Sequence, residues 1–210
     1  MPLMNKTCAI ISGGEFAPLS DIEKADFVIV CDKGYEYARN SGIIPHLFIG
    51  DFDSFLQDVP NDLPTIALPC EKDETDTMAA VKYAVKNGFT NILLFCALGG
   101  RLDHLLGNFG TAAYAAKAGL TVKITDYDNE IFVFSNSQIT IPKKEDFSIS
   151  LVSLTDKCEN VSISGGKYPL QNAVLTNIST LGISNEWKDD ITVTVGTGVL
   201  AIVMSKIKDK

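Results

Sequence analysis

The chain has 210 residues, is 46% hydrophobic and 21% charged, and carries 18 basic against 26 acidic side chains, a net charge of −8. A chain of this length buries roughly 70% of its unfolded surface on folding, and this composition excludes disorder. The acidic balance excludes a nonspecific nucleic-acid binder, which needs a basic footprint, and no apolar run reaches the roughly 20 residues of a membrane span.

In chain order, Cys8-Ala9-Ile10-Ile11 reads as a first buried strand, closed by Ser12-Gly13-Gly14-Glu15. Phe27 to Cys31 is a second strand, ending in Asp32-Lys33-Gly34, and a short helix follows from Tyr35 to Asn40. Leu47-Phe48-Ile49 is a third strand, followed by Gly50-Asp51-Phe52-Asp53-Ser54, and Leu63 to Leu68 reads as a further short strand. Thr75 to Asn87 has a helical apolar face from Met78, Val81 and Val85, stopped by Asn87-Gly88. Ile92 to Cys96 is the clearest buried strand, Leu105 to Ala118 an Ala-rich helix, and Val122 to Thr125 another strand. Apolar strands separated by helices of this length predict a mostly parallel sheet covered on both faces.

Beyond about residue 127 the helical pattern ends. Short strands are expected at Ile131–Phe134, Ile139–Ile141, Phe147–Leu154, Val161–Ile163, Ile191–Val195 and Leu200–Met204. The expected organisation is α/β: an N-terminal domain over residues 1–135, then an all-β, sandwich-like domain over 136–210. Cys8, Cys31, Cys70, Cys96 and Cys158 are an odd, scattered set without a CxxC pair. Buried free thiols in a reducing compartment are therefore expected, and the N-terminus makes a poor signal peptide, so the location is expected to be cytoplasmic.

In an open parallel sheet, ligands bind beyond the C-terminal strand ends, and four polar clusters occupy such positions. In an extended stretch, Asp51 and Asp53 share a face while Phe52 points to the core, and two adjacent carboxylates suit a divalent cation such as Mg²⁺. The same residues also suit an Asx-type turn. Asp73 and Asp76 precede or open a helix, where acids are favoured by the helix dipole, and they are equally candidates for a metal or water network. Gly99-Gly100-Arg101-Leu102-Asp103-His104 follows the strongest strand. Arg101 offers a fork suited to phosphate, Asp103 can join the acids or hold Arg101, and His104 suits a cap or packing position. His46, beside Pro45, has no expected chemical role. There is no P-loop, no Gly-x-Gly-x-x-Gly and no Gly-x-Ser-x-Gly. Clustered carboxylates, an Arg and glycine turns at strand ends point to metal-assisted transfer of a phosphate-containing group. In the β region, Tyr168 can stack on a planar ring and Ser184 or Asn185 can hydrogen-bond one, although structural turns account for all three.

The order and form of these motifs resemble thiamine pyrophosphokinase. The matching stretches are Asp32-Lys33-Gly34, Gly42 to Ser54, Lys72-Asp73-Glu74-Thr75-Asp76, Gly100-Arg101-Leu102-Asp103-His104, Lys167-Tyr168-Pro169-Leu170 and Leu181-Gly182-Ile183-Ser184-Asn185-Glu186. The resemblance implies an α/β nucleotide-binding domain followed by a β-sandwich, and a homodimer with active sites across the subunit interface. It implies pyrophosphoryl transfer from Mg²⁺-ATP to thiamine, giving AMP and thiamine diphosphate. Asp51, Asp53, Asp76 and Asp103 are then the Mg²⁺ ligands and, with Arg101, the catalytic set. Asp32, Lys33, Asp73, Thr75, Arg101 and His104 line the ATP site, and Tyr168, Ser184 and Asn185 hold thiamine. Tyr168 stands where the family often has Trp, and Lys33 where it commonly has Gly. A pyrophosphokinase for another hydroxymethyl heterocycle, such as a pterin, and a noncatalytic nucleotide-binding protein are the alternatives.

Overall fold

Short, wholly apolar segments build the first half of the protein. The computed structural model describes residues 5–50, 60, 62–69 and 73–207. Strands β1 (Thr7–Ile11), β2 (Phe27–Cys31) and β3 (Leu47–Gly50) are buried along nearly their whole length, as expected of parallel strands covered on both faces. The exposed strand β4 (Thr65–Ala67) pairs parallel with β3 and ends the run at that edge. Strand β5 (Asn91–Phe95) pairs parallel with β1 on the side away from β2, and β6 (Thr121–Thr125) extends it. The order is therefore β4-β3-β2-β1-β5-β6, and the chain changes direction of progress between β1 and β5. Such a switch point leaves a crevice at the C-terminal strand ends.

Three helices cover this sheet among the described residues: α1 (Gly34–Asn40), α2 (Asp76–Lys86) and α3 (Leu102–Lys117). Helix α2 is N-capped by Thr75, whose hydroxyl accepts from the Met78 amide at 3.2 Å. It buries Thr77, Ala80, Val81 and Ala84, the spacing of one helical face. Helix α3 begins at Leu102, three residues before the expected Leu105, so the Asp103-His104 pair lies within its first turn rather than just ahead of it.

Beyond β6 the pairing becomes antiparallel. Asp126 accepts from the Asp128 and Asn129 amides and so fixes the turn into β7 (Asn129–Ile141). Strand β11 (Trp187–Lys206) pairs along all of β7, with a register shift between Val195 and Val199. Its second half also pairs with β8 (Phe147–Ser153), and its first half with β9 (Lys157–Gly166), which carries β10 (Leu170–Thr176). The eleven strands of the described residues thus form one branched sheet.

Two of these strands serve two cores. Ile131, Val133, Val199 and Ala201 pack with the α/β core under α3. Phe134, Leu200, Ile202 and Met204, on the opposite pleat, pack with Ile149, Val161 and Val193 in a second core. The expected boundary near residue 135 falls inside β7, which passes through it unbroken. Cys8, Cys31, Cys96 and Cys158 are free and buried, as expected, and Cys70 lies outside the described residues. Burial pushes the Cys8 thiol up to about 12, which keeps it protonated and unreactive. Among the described residues, no helix is long and apolar enough to cross a membrane.

Candidate active site

The crevice at the switch point is a cleft of about 720 Å³. Four chain segments meet there: the turn after β1, the turn after β2, the start of α2 and the turn after β5. Backbone contacts hold them at close range. The Ser12 amide donates to the Phe95 carbonyl and the Gly14 amide to the Cys96 carbonyl, both at 3.0 Å. The Ser12 and Thr77 hydroxyls, 2.9 Å apart and buried, tie the end of β1 to α2. Asn108 donates to the Ala97 carbonyl at 2.8 Å, fixing the turn after β5 to α3. A Cβ at Gly14 would lie 2.4 Å from the Cys96 oxygen, so only glycine permits this approach.

Asp32 adopts a left-handed backbone (φ 46°) directly after β2, which turns the chain sharply into α1. Its Oδ1 lies where a Cβ on Gly50 would come within 2.4 Å, so the Asp32 carboxylate sits over the end of β3. Lys33 lines the cleft with its ammonium 5.4 Å from the centre of the Tyr37 ring. The neighbouring Tyr37 hydroxyl raises the Lys33 pKa, which keeps the cation charged.

Asp76 lies in the first turn of α2, on the cleft wall beside Thr75. Arg101 and His104 line the same cleft. Arg101 forms a fork with Asp103, Nε to Oδ1 at 3.1 Å and Nη2 to Oδ2 at 2.6 Å. The His104 amide also donates to Asp103 at 3.0 Å. The Arg101 guanidinium holds the Asp103 carboxyl down at about 2, so this group remains an anion at physiological pH. Arg101→Ala is expected to return it toward the ordinary 3.8, read as the midpoint of a carbon-detected NMR titration. A midpoint still near 2 would show that the pairing is not the cause. Both side chains are exposed, so water screens the pair and exchange of Arg101 to another anion costs little.

Of the expected site residues, Asp32, Lys33, Thr75, Asp76, Arg101 and His104 line this one cleft. Asp73 and Asp103 are exposed residues that do not line it. Asp51 and Asp53 lie outside the described residues; Gly50, directly before them, is the last residue of β3 beside the cleft residue Asp32. Glu15, Phe16, Tyr37 and Asn108 line the cleft too. Sequence reasoning passed over the last three, although Phe16 sits two residues beyond the glycine turn that follows β1.

A second, smaller cavity of about 270 Å³ lies in the antiparallel region, lined by Leu151, Tyr168, Leu181, Ser184 and Asn185 among others. Asn185 is buried and holds the site together. Its Oδ1 accepts from the Tyr168 and Glu186 amides, both at 2.9 Å, and its Nδ2 donates to the Tyr168 carbonyl at 2.8 Å. Tyr168 is thereby fixed at its backbone, and the residue, which lines the cavity, is 55% exposed. Ser184 has a left-handed backbone (φ 60°) held by its amide on the Ser150 hydroxyl at 3.0 Å. Its own hydroxyl is exposed, with no hydrogen-bond partner among the described residues. The His46 imidazole, by contrast, accepts from the Val28 amide and stacks on Phe27, a packing role.

The model of the thiamin pyrophosphokinase catalytic domain matches residues 20–124, and that of the vitamin B1 binding domain of the same enzyme matches residues 136–200. The chain belongs to the thiamin pyrophosphokinase family. A thiamine pyrophosphokinase of Bacillus subtilis is 32% identical over 191 residues, covering 86% of this chain and 89% of the relative. The crystal structure of a Bacillus subtilis thiamine pyrophosphokinase superposes with a TM-score of 0.84 at 30% identity, covering 97% of this chain and 100% of the other. That of a Geobacillus thermodenitrificans thiamin pyrophosphokinase gives 0.82 at 30% identity, covering 97% and 99%. Lys33, Asp76 and Arg101 lie within the thiamin pyrophosphokinase catalytic match, and Tyr168 and Ser184 within the vitamin B1 binding match.

Proposed function

We propose that the protein transfers the pyrophosphoryl group of Mg²⁺-ATP to the hydroxyl of thiamine, giving thiamine diphosphate and AMP. The observation that carries this reading is the switch-point cleft, which two cations, Lys33 and Arg101, line together with the carboxylates of Asp32 and Asp76. In the reaction, the thiamine hydroxyl oxygen bonds to the β-phosphorus and the bond from that phosphorus to the α–β bridging oxygen breaks. AMP leaves with the bridging oxygen, and the hydroxyl proton passes to a carboxylate or to water. Lys33 and Arg101 pair with phosphate oxygens and hold the chain for in-line attack. Arg101 reaches them by letting go of Asp103, an exchange that solvent exposure makes easy.

Mg²⁺ fits the donor chemistry. The acids of the proposed set are hard oxygen donors, and among the described residues the cleft lining includes neither cysteine nor a second histidine. Asp76, with Asp51 and Asp53, would hold it, and Asp103, which does not line the cleft while paired with Arg101, would join them once Arg101 has exchanged to phosphate. Once bound, it neutralises phosphate oxygens that would otherwise be repelled by these same acids. The antiparallel region, read as a sandwich-like domain, would present thiamine, with Tyr168 stacking on a thiamine ring and Ser184 hydrogen-bonding the pyrimidine. A homodimer would bring a β domain to the α/β cleft. The exposed apolar side chains Tyr168, Val174, Ile178, Leu181 and Ile183 support such an interface. The protein is read as cytoplasmic, with free buried thiols in support.

The test is incubation with Mg²⁺-ATP and thiamine or a hydroxymethylpterin, following nucleotide and acceptor products together. AMP with thiamine diphosphate is expected. ADP with thiamine monophosphate, or turnover of the pterin alone, would reject the reading. Tyr168→Ala is expected to raise the KM for thiamine roughly 10-fold with little change in the KM for ATP, because the ring supplies stacking area at the cavity and does not line the cleft. A parallel rise in both constants would remove Tyr168 from the acceptor site.

A further inference from the structure

We propose that Phe16, backed by Tyr37, is the platform on which the base of the nucleotide stacks, and that Glu15 accepts from the ribose hydroxyls. This rests on the ATP reading above and deepens it, since cations and carboxylates alone account for the triphosphate but leave the nucleoside unheld.

Phe16 lies on the cleft wall and is 43% exposed. Its ring centre is 5.3 Å from that of Tyr37, tilted by 59°. Tyr37 is fixed, because its hydroxyl donates to the Gly14 carbonyl at 2.8 Å and the Lys33 ammonium lies by its ring. Phe16 is therefore supported on one side and open on the other, the arrangement that a planar heterocycle covers with gain of apolar burial. Stacking of this kind accepts any base, because every base offers a π-face. GTP is accordingly expected to serve nearly as well as ATP.

Glu15 sits next in the chain and lines the same cleft. Its carboxylate lies over Gly99, where a Cβ would meet Oε2 at 2.1 Å. It has no hydrogen bond or ion pair among the described residues. An unpaired carboxylate repels phosphate but accepts well from hydroxyls, and a ribose carries two such donors. Lys33 and Arg101, the cations of the cleft, are left to the phosphates.

The experiment is calorimetric titration of the full chain, with Mg²⁺ present, using AMP and, separately, inorganic tripolyphosphate. Phe16→Ala is expected to weaken AMP binding roughly 10-fold and leave tripolyphosphate binding unchanged, with Phe16→Trp restoring AMP binding. Glu15→Ala, which removes the acceptor, is expected to erase a preference for AMP over 2′-deoxy-AMP that the unaltered protein shows, and a preference that survives it overturns the Glu15 assignment. AMP binding unaltered by Phe16→Ala overturns the platform, and so does a parallel loss of AMP and tripolyphosphate, which marks collapse of the cleft. An unaltered protein without the ribose preference overturns the Glu15 assignment. The two readings fail separately. Phe16-dependent AMP binding without formation of thiamine diphosphate sinks the activity and spares the subsite, and thiamine diphosphate formation with Phe16-independent binding does the reverse.

Discussion

Asp76→Asn is expected to lower turnover by about 10²- to 10³-fold, the effect of removing one carboxylate from the proposed Mg²⁺ site, where a bound metal would supply several kcal/mol of charge stabilisation. The substitution keeps the shape of the side chain and removes its charge. Asp76 is half-buried in the first turn of α2, where a negative charge also favours the helix dipole. That second role is worth about 0.3–1 kcal/mol, too little to unfold the protein or to explain a loss of this size. The two effects separate in the measurement. Thermal unfolding should move by only a few degrees, whereas kcat should fall and the Mg²⁺ concentration for half-maximal rate should rise. Glu74, two residues earlier, is paired with Lys82 and does not line the cleft. Glu74→Gln should leave both quantities near their starting values. An Asp76→Asn enzyme with near-normal turnover would remove this residue from the metal set.

The parallel half of the fold was legible because its strands are apolar on both faces and its helices are bounded by strong stop signals. Phe27–Cys31 was read with its observed ends, and α2 within a residue at each end. Strands β7 and β11 were each read as two. Ser135-Asn136-Ser137-Gln138 and Gly196-Thr197-Gly198 look like turns by composition, yet they face each other across a bulge in the ladder. Asn136 and Gly198 take up the positive φ that the irregularity requires, and the strands continue beyond it. Strand β10 was missed for a different reason. Only Leu175 of its seven residues is buried, it carries Gln171 and Asn172, and it joins β9 with two register shifts, so it has no clean alternation to read.

The site divides in the same way. Charged cleft residues stood out because, although each has a structural explanation, acids and an Arg recur at several strand ends that a parallel sheet brings together. Phe16 and Tyr37 did not, because an aromatic residue is ordinarily core, and only the geometry shows that Phe16 faces a cleft. The Arg101–Asp103 fork was one of two roles open to Asp103. Both fall in the first turn of α3 or just before it, and the choice depends on rotamers that no spacing rule fixes.

Gly34→Ala sets two rules against each other, and their magnitudes decide the outcome. Gly34 opens α1, and by helix propensity alone alanine would be favoured by about 1 kcal/mol. Packing argues the other way. A Cβ at Gly34 would lie 2.1 Å from the Ile11 carbonyl oxygen and 2.8 Å from its carbon. Those are backbone atoms of β1, and Ile11 is paired with Val30 on one side and Phe95 on the other, so the strand cannot yield. Helix α1 must lift instead, taking Lys33 and Tyr37 with it and opening the cleft wall. Overpacking of this severity costs about 3 kcal/mol, which leaves a net loss of about 2 kcal/mol and a fall in Tm of roughly 4–8 °C. Gly110 in α3 is the matched control. It is exposed, with nothing among the described residues within 4 Å of its would-be Cβ, so Gly110→Ala should gain 0.5–1 kcal/mol, to order of magnitude. Denaturant unfolding of the two variants in parallel reads the contrast. If both substitutions stabilise, the close approach of α1 to β1 is wrong, and with it the geometry that places Lys33 in the cleft.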